Sequence, residues 1–405
     1  MRLLSKLTLF VWLFLGFLII YFLESVWFNH DSKAPKLLRN IISVNLNRER
    51  AIKKYTIDLS STQYRQIVNT ERLKDSSSPY SDFKEKFRDA TNVSLAVVAC
   101  GDRLHETLVM IKSAILFSNN VKLKVVVIAD TPLIKGFEEK LSEWKVTVNN
   151  SFDYQIKPVA FPENGKEEWR KLFKPCAAQR LFLPSLLKDL DSVLYVDTDT
   201  LFLGPLEEVW MHFSRMNSSQ MAALAPEHED PNTGWYNRFA RHPYYGELGV
   251  NSGVMLMNLT RMRDFGWEKY LAPIYKEFKL KITWGDQDII NIIFHYHPER
   301  LYVYSCRYNY RSDHCMYMSV CGDANKHGVA VIHGSRSTFH GDKQPAFKTI
   351  YSCMEEYQLG SDPYSNLLLT MENGLDQTSH TNCGKVRKVL TKNLHKYISV
   401  KEPFR

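Results

Sequence analysis

The chain has 405 residues, 44% of them hydrophobic and 24% charged, which suits one large domain with appendages and excludes collagen-like, low-complexity and intrinsically disordered proteins. Its net charge of +8 lies at the two ends, since residues 1–90 hold 15 Lys and Arg against 9 Asp and Glu and residues 385–405 hold 7 against 1. Residues 91–384 keep a net charge of −4, which argues against a core that binds nucleic acid.

The first predicted element is a transmembrane signal anchor at residues 7–23. This run holds no charged residue and is rich in Leu, Phe and Ile. As a helix it spans roughly 25 Å, which suits a thin membrane of the early secretory pathway. Arg2 and Lys6 precede it and Glu24 follows, so the positive-inside tendency predicts a cytoplasmic tail at residues 1–6. A cleaved signal peptide is the alternative, although no small-residue cleavage site follows the run.

The remaining chain is then predicted to be lumenal. Residues 24–90 are polar and mixed in charge, which is typical of a stem that holds a domain away from the membrane. Residues 91–384 are predicted to form the main domain and residues 385–405 a basic C-terminal tail. Four glycosylation sequons agree with a lumenal location, and they begin at Asn92, Asn149, Asn217 and Asn258.

The domain opens with an alternation of apolar runs and helical patterns. Residues 94–100 predict a strand, a helical pattern follows through 108–116, and residues 123–129 predict a second strand. A helix over about 176–187, a strand at 192–196 and short strands at 221–225 and 253–257 come next. Strand, helix and strand at this spacing predict an α/β fold with a parallel sheet. Ligands of such folds bind at the carboxyl ends of the strands.

An acidic pair follows the strand at 192–196. Asp197 and Asp199 flank Thr198, and apolar runs frame them on both sides. Two carboxylates at this spacing can converge on a divalent cation such as Mg²⁺ or Mn²⁺, which also takes phosphate oxygens of a substrate. The alternative is a turn stabilised by Asp side chains.

Three further polar segments lie beside apolar runs. Residues 286–288 read Asp-Gln-Asp after Gly285, where Asp286 could also be a simple helix cap. His333 and Gly334 end the run at 329–332, so the imidazole could bind a metal or could be structural. The third segment is Asn251, Ser252 and Gly253, whose small side chains permit the close approach of a ligand.

Seven cysteines in an oxidising lumen predict disulfides, and the odd number leaves at least one thiol unpaired or paired between chains. The spacings of 9 and 6 residues between Cys306, Cys315 and Cys321 do not match a zinc site. The connectivity stays open.

In this order, the Asp-x-Asp, Asn-Ser-Gly, Asp-Gln-Asp and His-Gly segments resemble glycosyltransferase family 8, the retaining nucleotide-sugar transferases that include glycogenin. The resemblance covers about residues 93–345. It implies a GT-A-type, Rossmann-like α/β domain, a UDP-sugar donor, and Mn²⁺ (or Mg²⁺) held by Asp197, Asp199 and His333. It also implies a donor-binding set made of Cys100, Gly101, Asp102, Arg180, Asp197, Asn251, Ser252, Gly253, Gly334 and Arg336.

The stretch at 225–245 resembles the branch of that family that adds α1,3-xylose to O-linked glucose on EGF-like repeats of Notch. The resemblance implies UDP-xylose as donor, an O-glucosylated EGF-like repeat as acceptor, and an ER or Golgi enzyme of type II topology. Aromatic residues of this stretch, Trp235, Tyr236 and Tyr245, suit stacking on the acceptor sugar or, equally, the anchoring of a folded loop.

In a retaining mechanism Asp286, Gln287 or Asp288 would orient the donor sugar, and one of them could be a nucleophile. Front-face substitution is favoured, because no residue is an unambiguous nucleophile. Two alternatives remain open, namely a family member with another UDP-sugar or acceptor, and a non-catalytic lumenal sugar-binding protein.

Overall fold

The structure is a computed structural model that describes residues 91–118, 120–162, 165–172 and 176–399. The predicted cytoplasmic tail, anchor and stem lie outside the described residues, as do residues 400–405. Among the described residues, no helix is both long and apolar enough to cross a membrane.

A seven-stranded sheet forms the centre, in the order β3-β2-β1-β4-β7-β6-β8. The five strands predicted from the apolar runs are present as β1, β2, β4, β6 and β7, with bounds that differ by a few residues, whereas β3 and β8 were not predicted. The bounds are β1 Thr91–Ala99, β2 Val121–Ala129, β3 Phe152–Pro158, β4 Ser192–Val196, β6 Ala222–Pro226, β7 Val250–Asn258 and β8 Leu301–Val303. A separate pair of strands is formed by β5 Thr200–Phe202 and β9 Val331–His333.

The expectation of a parallel sheet is wrong for part of it. β1, β2, β3 and β4 are parallel, and so are β6 and β8, but β7 runs antiparallel to both β4 and β6. The chain leaves β6 and enters β7 at the same edge of the sheet, through residues 227–249. Because no crossover connection returns the chain to the opposite edge, the two strands must be antiparallel.

The central strands are apolar throughout because helices cover both faces of the sheet. In β1, Leu95 and Val97 belong to one buried cluster, whereas Ala96 and Val98 belong to a second cluster on the other face. β2, β4 and residues 254–257 of β7 divide in the same way, as the two-residue period of a strand requires.

The helices complete the two outer layers. The longer ones are α1 Leu104–Leu116, α2 Thr131–Thr147, α8 Glu268–Phe278, α9 Asp286–Tyr296, α11 Pro345–Glu356 and α14 Arg387–Ser399. The shorter ones are α3 Lys166–Lys171, α4 Leu183–Leu186, α5 Leu206–Trp210, α6 Trp235–Phe239, α7 Leu259–Phe265, α10 Gly322–His327, α12 Thr370–Asp376 and α13 Asn382–Lys385.

Two segments differ from the expectation. The helix predicted over 176–187 is a 3₁₀ helix at Ala177–Phe182 followed by α4, where Pro184 has no N–H to continue an α-helical ladder. The segment at 385–405, expected to be a tail, contains α14. Its Leu390, Leu394 and Ile398 are buried in the same cluster as Leu95 and Val97 of β1. A basic helix can therefore belong to the domain when one of its faces is apolar.

Six cysteines pair, as Cys100–Cys176, Cys306–Cys321 and Cys315–Cys383, and Cys353 is a buried free thiol. The first bridge joins the loop after β1 to the start of the 3₁₀ helix at Ala177–Phe182. That bridge lies at the sheet edge where ligands are expected.

The four sequon asparagines are not equivalent. Asn92, Asn149 and Asn217 are exposed, as glycan attachment requires. Asn258 is only partly exposed, and its side chain accepts a hydrogen bond from the N–H of Arg261 to cap α7. Its amide nitrogen also donates to Asp191, at 3.4 Å.

Candidate active site

The carboxyl ends of β1, β4 and β6 meet at one edge of the sheet, where they surround a cleft of about 650 Å³. Its size is typical of a small-molecule site. Most of the predicted site residues line it, namely Cys100, Gly101, Asp102, Arg180, Asp197, Asp199, Trp235, Asn251, Ser252, Asp286, Gln287, His333 and Arg336. Five predicted residues do not line it, namely Tyr236, Tyr245, Gly253, Asp288 and Gly334.

The carboxylates of Asp197 and Asp199 and the imidazole of His333 converge in the cleft. The pairing of β5 with β9 places Thr200 opposite His333, and this brings the histidine beside the acidic pair. His333 Nε2 lies 3.4 Å from Asp199 Oδ1 and 3.9 Å from Asp197 Oδ2. One possible ligand atom from each residue lies within 4.8 Å of the others. The predicted set is therefore assembled in space.

Two asparagines orient the imidazole of His333. The N–H of Gly253 and the Nδ2 of Asn309 both donate to Asn251 Oδ1. Asn309 must then present its own Oδ1 to His333, whose Nδ1 donates to it at 2.9 Å. In the neutral imidazole the lone pair is then on Nε2, which faces the carboxylates, and this is the arrangement of a histidine that binds metal.

Gly253 makes room for this imidazole. A Cβ atom at residue 253 would lie 2.1 Å from His333 Cε1. The small residue was predicted to let a ligand approach, whereas the group that approaches it is the histidine. Together, these contacts fit a divalent cation such as Mn²⁺, because two carboxylates and an imidazole nitrogen converge on one point.

Arg180 lies under the acidic pair and is 5% exposed. Its Nη2 donates to Asp197 Oδ1 at 2.7 Å, its Nη1 donates to Ser252 O at 2.6 Å, and its Nε forms an ion pair with Asp286. Burial alone would lower the pKa of Arg180, but the carboxylates of Asp197 and Asp286 raise it above its usual value. The guanidinium is therefore a fixed cation whose N–H groups are directed at the protein.

Asp286 is the first residue of α9 and is 2% exposed. Burial raises the pKa of its carboxyl to about 6, and the guanidinium of Arg180 limits that rise. The carboxylate is therefore ionised at neutral pH and faces the cleft.

Gln287 and Asp288 have different surroundings. Gln287 Oε1 accepts from the N–H of Ser252 at 3.1 Å and lines the cleft. The carboxylate of Asp288 is fully buried and accepts from the N–H groups of residues 283 and 284, at 2.7 and 2.8 Å, and from Tyr236 Oη at 2.8 Å. Asp288 thus binds the backbone ahead of α9, and the catalytic role predicted for it is not supported by its position.

The loop after β1 forms one wall of the cleft. Gly101 has φ of 66°, and its N–H lies 3.4 Å from Asp130 Oδ2. Asp102 is exposed and pairs with Arg103 at 3.4 Å. Cys100 contributes to the wall, but its sulphur is bonded to Cys176. Its role there is to fix the loop.

The segment after His333 turns over the cleft. The N–H of Gly334 donates to Asp199 O at 2.7 Å, and a Cβ there would lie 2.3 Å from the ring of Phe339. The backbone of Gly334 therefore stabilises the turn that contains Asp197 and Asp199. Arg336 lines the cleft in a left-handed conformation, with φ of 59°, and forms an ion pair with Asp313.

The predicted aromatic residues also separate. The Trp235 ring lines the cleft and packs edge-on against Trp284, with centroids 5.5 Å apart. Tyr236 is 1% exposed, and its hydroxyl donates a hydrogen bond to Asp288. Tyr245 is half-buried and packs against the second core cluster. The alternative of a loop anchored by its aromatic rings describes these two tyrosines.

Several residues that line the cleft or lie behind it escaped the sequence analysis. Glu227 directly follows β6, so a search after every strand would have found it. It accepts from Arg311 Nη1 at 3.0 Å. No periodic pattern marks Arg311 or Asn309, because they precede β9 in an irregular segment.

Comparisons with known proteins agree with this geometry. A family model described as glycosyl transferase family 8 matches residues 45–333. The chain is 50% identical over 324 residues to glucoside xylosyltransferase 1 of Rattus norvegicus, covering 77% of this chain and 74% of that protein. It is 50% identical over 313 residues to glucoside xylosyltransferase 2 of Xenopus laevis, covering 75% and 74%.

Among solved structures, the galactosyltransferase LgtC in complex with donor and acceptor sugar analogues matches with a TM-score of 0.51. At 17% identity it covers 68% of this chain and all of that one. This likeness supports the GT-A-type α/β fold.

Proposed function

The chain belongs to glycosyl transferase family 8, and from that premise we propose that it moves xylose from UDP-xylose, with retention, to O-linked glucose. The membership predicted from the four motifs is thereby confirmed. The observation that carries the proposal is the convergence of Asp197, Asp199 and His333 in a chain half identical to two glucoside xylosyltransferases. We further propose an α1,3 linkage and an EGF-like repeat of the Notch type as the acceptor.

We propose that Asp197, Asp199 and His333 hold Mn²⁺ or Mg²⁺. When bound, the cation supplies positive charge that stabilises the UDP leaving group. The contacts of His333 with Asn309 keep its Nε2 lone pair directed at this place. A site prepared in this way needs little rearrangement when the nucleotide sugar binds.

The remaining cleft residues orient the donor. Arg180 keeps Asp197 and Asp286 in place and adds a buried positive charge beneath the diphosphate. Asp286, ionised and facing the cleft, is suited to accept hydrogen bonds from sugar hydroxyls. Gln287, an amide, is a poor nucleophile, and Asp288 is enclosed. The carboxylate of Asp286 is held in a buried ion pair with Arg180, so front-face substitution remains the proposed course of the reaction.

The acceptor is proposed to enter beside Trp235 and Trp284. Their rings form an aromatic wall of the cleft, and sugar rings stack on such surfaces through their apolar faces. We also propose that the chain is a single-pass type II protein of the ER or Golgi membrane with this domain in the lumen, as the charge-free run at residues 7–23 and the basic residues before it suggest.

A donor competition tests the proposal. The purified full-length chain is incubated with Mn²⁺, an O-glucosylated EGF-like repeat, and UDP-xylose, UDP-glucose or UDP-galactose. We expect transfer from UDP-xylose, loss of transfer with EDTA, and loss of transfer in Asp199→Asn. Preference for a hexose donor would refute the xylose assignment and keep the family. Absence of transfer from every donor would favour a non-catalytic sugar-binding protein.

A further inference from the structure

The carboxylate of Glu106 joins three segments that meet at the candidate metal site. Glu106 lies in the first turn of α1, and its side chain is 6% exposed. Its Oε2 accepts from Thr198 Oγ1 at 3.0 Å and from Arg103 Nη1 at 2.5 Å. Its Oε1 lies 2.9 Å from His340 Nε2. A buried carboxylate with three such partners is fixed in position.

Each partner belongs to a different segment of the chain. Thr198 stands between the two acidic residues of the D-x-D turn. Arg103 ends the loop after β1 and lines the cleft. His340 lies in the segment that follows His333, and Phe339 beside it is buried against α11. The loop after β1, the D-x-D turn and the segment after His333 are therefore tied to one side chain.

The D-x-D turn is held on its other sides by backbone contacts. The N–H of Asp197 donates to Gly253 O at 2.9 Å, and Thr200 Oγ1 donates to Asp197 O at 2.9 Å. The N–H of Gly334 donates to Asp199 O. Glu106 adds a side-chain contact at the central residue of the turn, and this contact fixes the rotation of the turn about its ends.

We propose that Glu106 is a positioning residue for the metal site. Through Thr198 it keeps both carboxylates of the turn directed at one point, and through His340 it keeps the segment after His333 over the cleft. The inference rests on the proposed metal-dependent transfer, because it assumes that Asp197, Asp199 and His333 bind a cation. Residues that orient metal ligands change metal affinity or activity by about 10- to 100-fold when removed.

The test measures Mn²⁺ binding directly, by electron paramagnetic resonance of the full-length chain, with and without UDP. Glu106→Ala is expected to weaken Mn²⁺ binding about 10- to 100-fold. Glu106→Gln retains an acceptor for Thr198 and is expected to restore most of the affinity. Thr198→Val, which removes only the hydroxyl, should shift the affinity in the same direction. The double variant Glu106→Ala with Thr198→Val should bind little worse than Glu106→Ala alone.

Glu355→Ala is the matched control. The Glu355 carboxylate lies 2.6 Å from His105, the residue before Glu106 in α1, but it does not line the cleft. It should bind Mn²⁺ as the wild type does. Thermal unfolding of each variant separates a loss of stability from a loss of metal affinity.

The inference is overturned if Glu106→Ala and Thr198→Val both bind Mn²⁺ within twofold of the wild type. If Glu106→Ala does not fold, Glu106→Gln and Thr198→Val decide the question. A wild-type chain that binds no Mn²⁺ overturns the inference together with the metal assignment. A wild type that binds Mn²⁺ but transfers no xylose contradicts only the proposed function, and the comparison of variants remains decisive.

Discussion

Substituting Gly253 by alanine tests how much space the proposed metal ligand His333 needs. The added Cβ would lie 2.1 Å from Cε1, 2.5 Å from Nδ1 and 2.9 Å from Nε2 of His333. Ordinary contact begins at 3.4 Å, so the ring must move by about 1.3 Å. Metal–ligand distances tolerate only about 0.2 Å, so this movement removes His333 as a ligand. Crowding of this kind also costs about 1–3 kcal/mol of unfolding free energy.

The assay combines Mn²⁺ titration with urea unfolding. We expect Gly253→Ala to bind Mn²⁺ at least about 10-fold more weakly and to lose most of its transfer activity. Gly322→Ala is the control, because no atom lies within 4 Å of the Cβ it would add. In a His333→Ala background, Gly253→Ala should cause no further loss of metal affinity. Wild-type Mn²⁺ binding by Gly253→Ala would refute the account of how the glycine acts.

Three further predictions concern the surroundings of the metal site. Because burial raises the pKa of Asp286 to about 6, its negative charge is lost as the pH falls through that value. The kcat/KM measured at saturating Mn²⁺ should therefore fall over the same pH range, and a kcat/KM that stays constant down to pH 5 would contradict this. Tyr236→Phe removes a buried donor to Asp288 and should cost about 1–3 kcal/mol in urea unfolding, whereas an unchanged midpoint would show that the bond contributes nothing. Cys176→Ser breaks the bridge to Cys100 and releases the loop after β1, so it should raise the KM for the donor more than it lowers kcat. The control Cys383→Ser breaks the bridge to Cys315 and should not show this pattern. Equal effects of the two variants would argue against a role of the Cys100–Cys176 bridge in donor binding.

The sequence predicted β1, β2, β4, β6 and β7 because their runs are apolar and buried on both faces. It missed β3, in which polar residues interrupt the apolar ones, and β8, which has only three residues. It failed on the direction of β7, since a run such as 253–257 has the same composition in parallel and antiparallel ladders. Direction is decided by the connection through residues 227–249, whose irregular path carries no periodic pattern.

The convergence of Asp197, Asp199 and His333 could be predicted because acidic and histidine residues directly follow apolar runs. Their neighbours were not, since Asn309 lies 24 residues before His333 and Glu106 lies 92 residues before Thr198. A contact between distant segments is created only by the fold. For the same reason the sequence could not separate Asp286, which faces the cleft, from Asp288, which supports the backbone ahead of α9.

The central claim is that this cleft transfers a pentose with the help of Asp197, Asp199 and His333. Mass spectrometry of an O-glucosylated EGF-like repeat, after incubation with the full-length chain, Mn²⁺ and an equimolar mixture of UDP-xylose and UDP-glucose, tests it most directly. The account predicts a product heavier by one pentose, which is absent with Asp199→Asn. A product heavier by one hexose, or a pentose product that persists with Asp199→Asn, would contradict it.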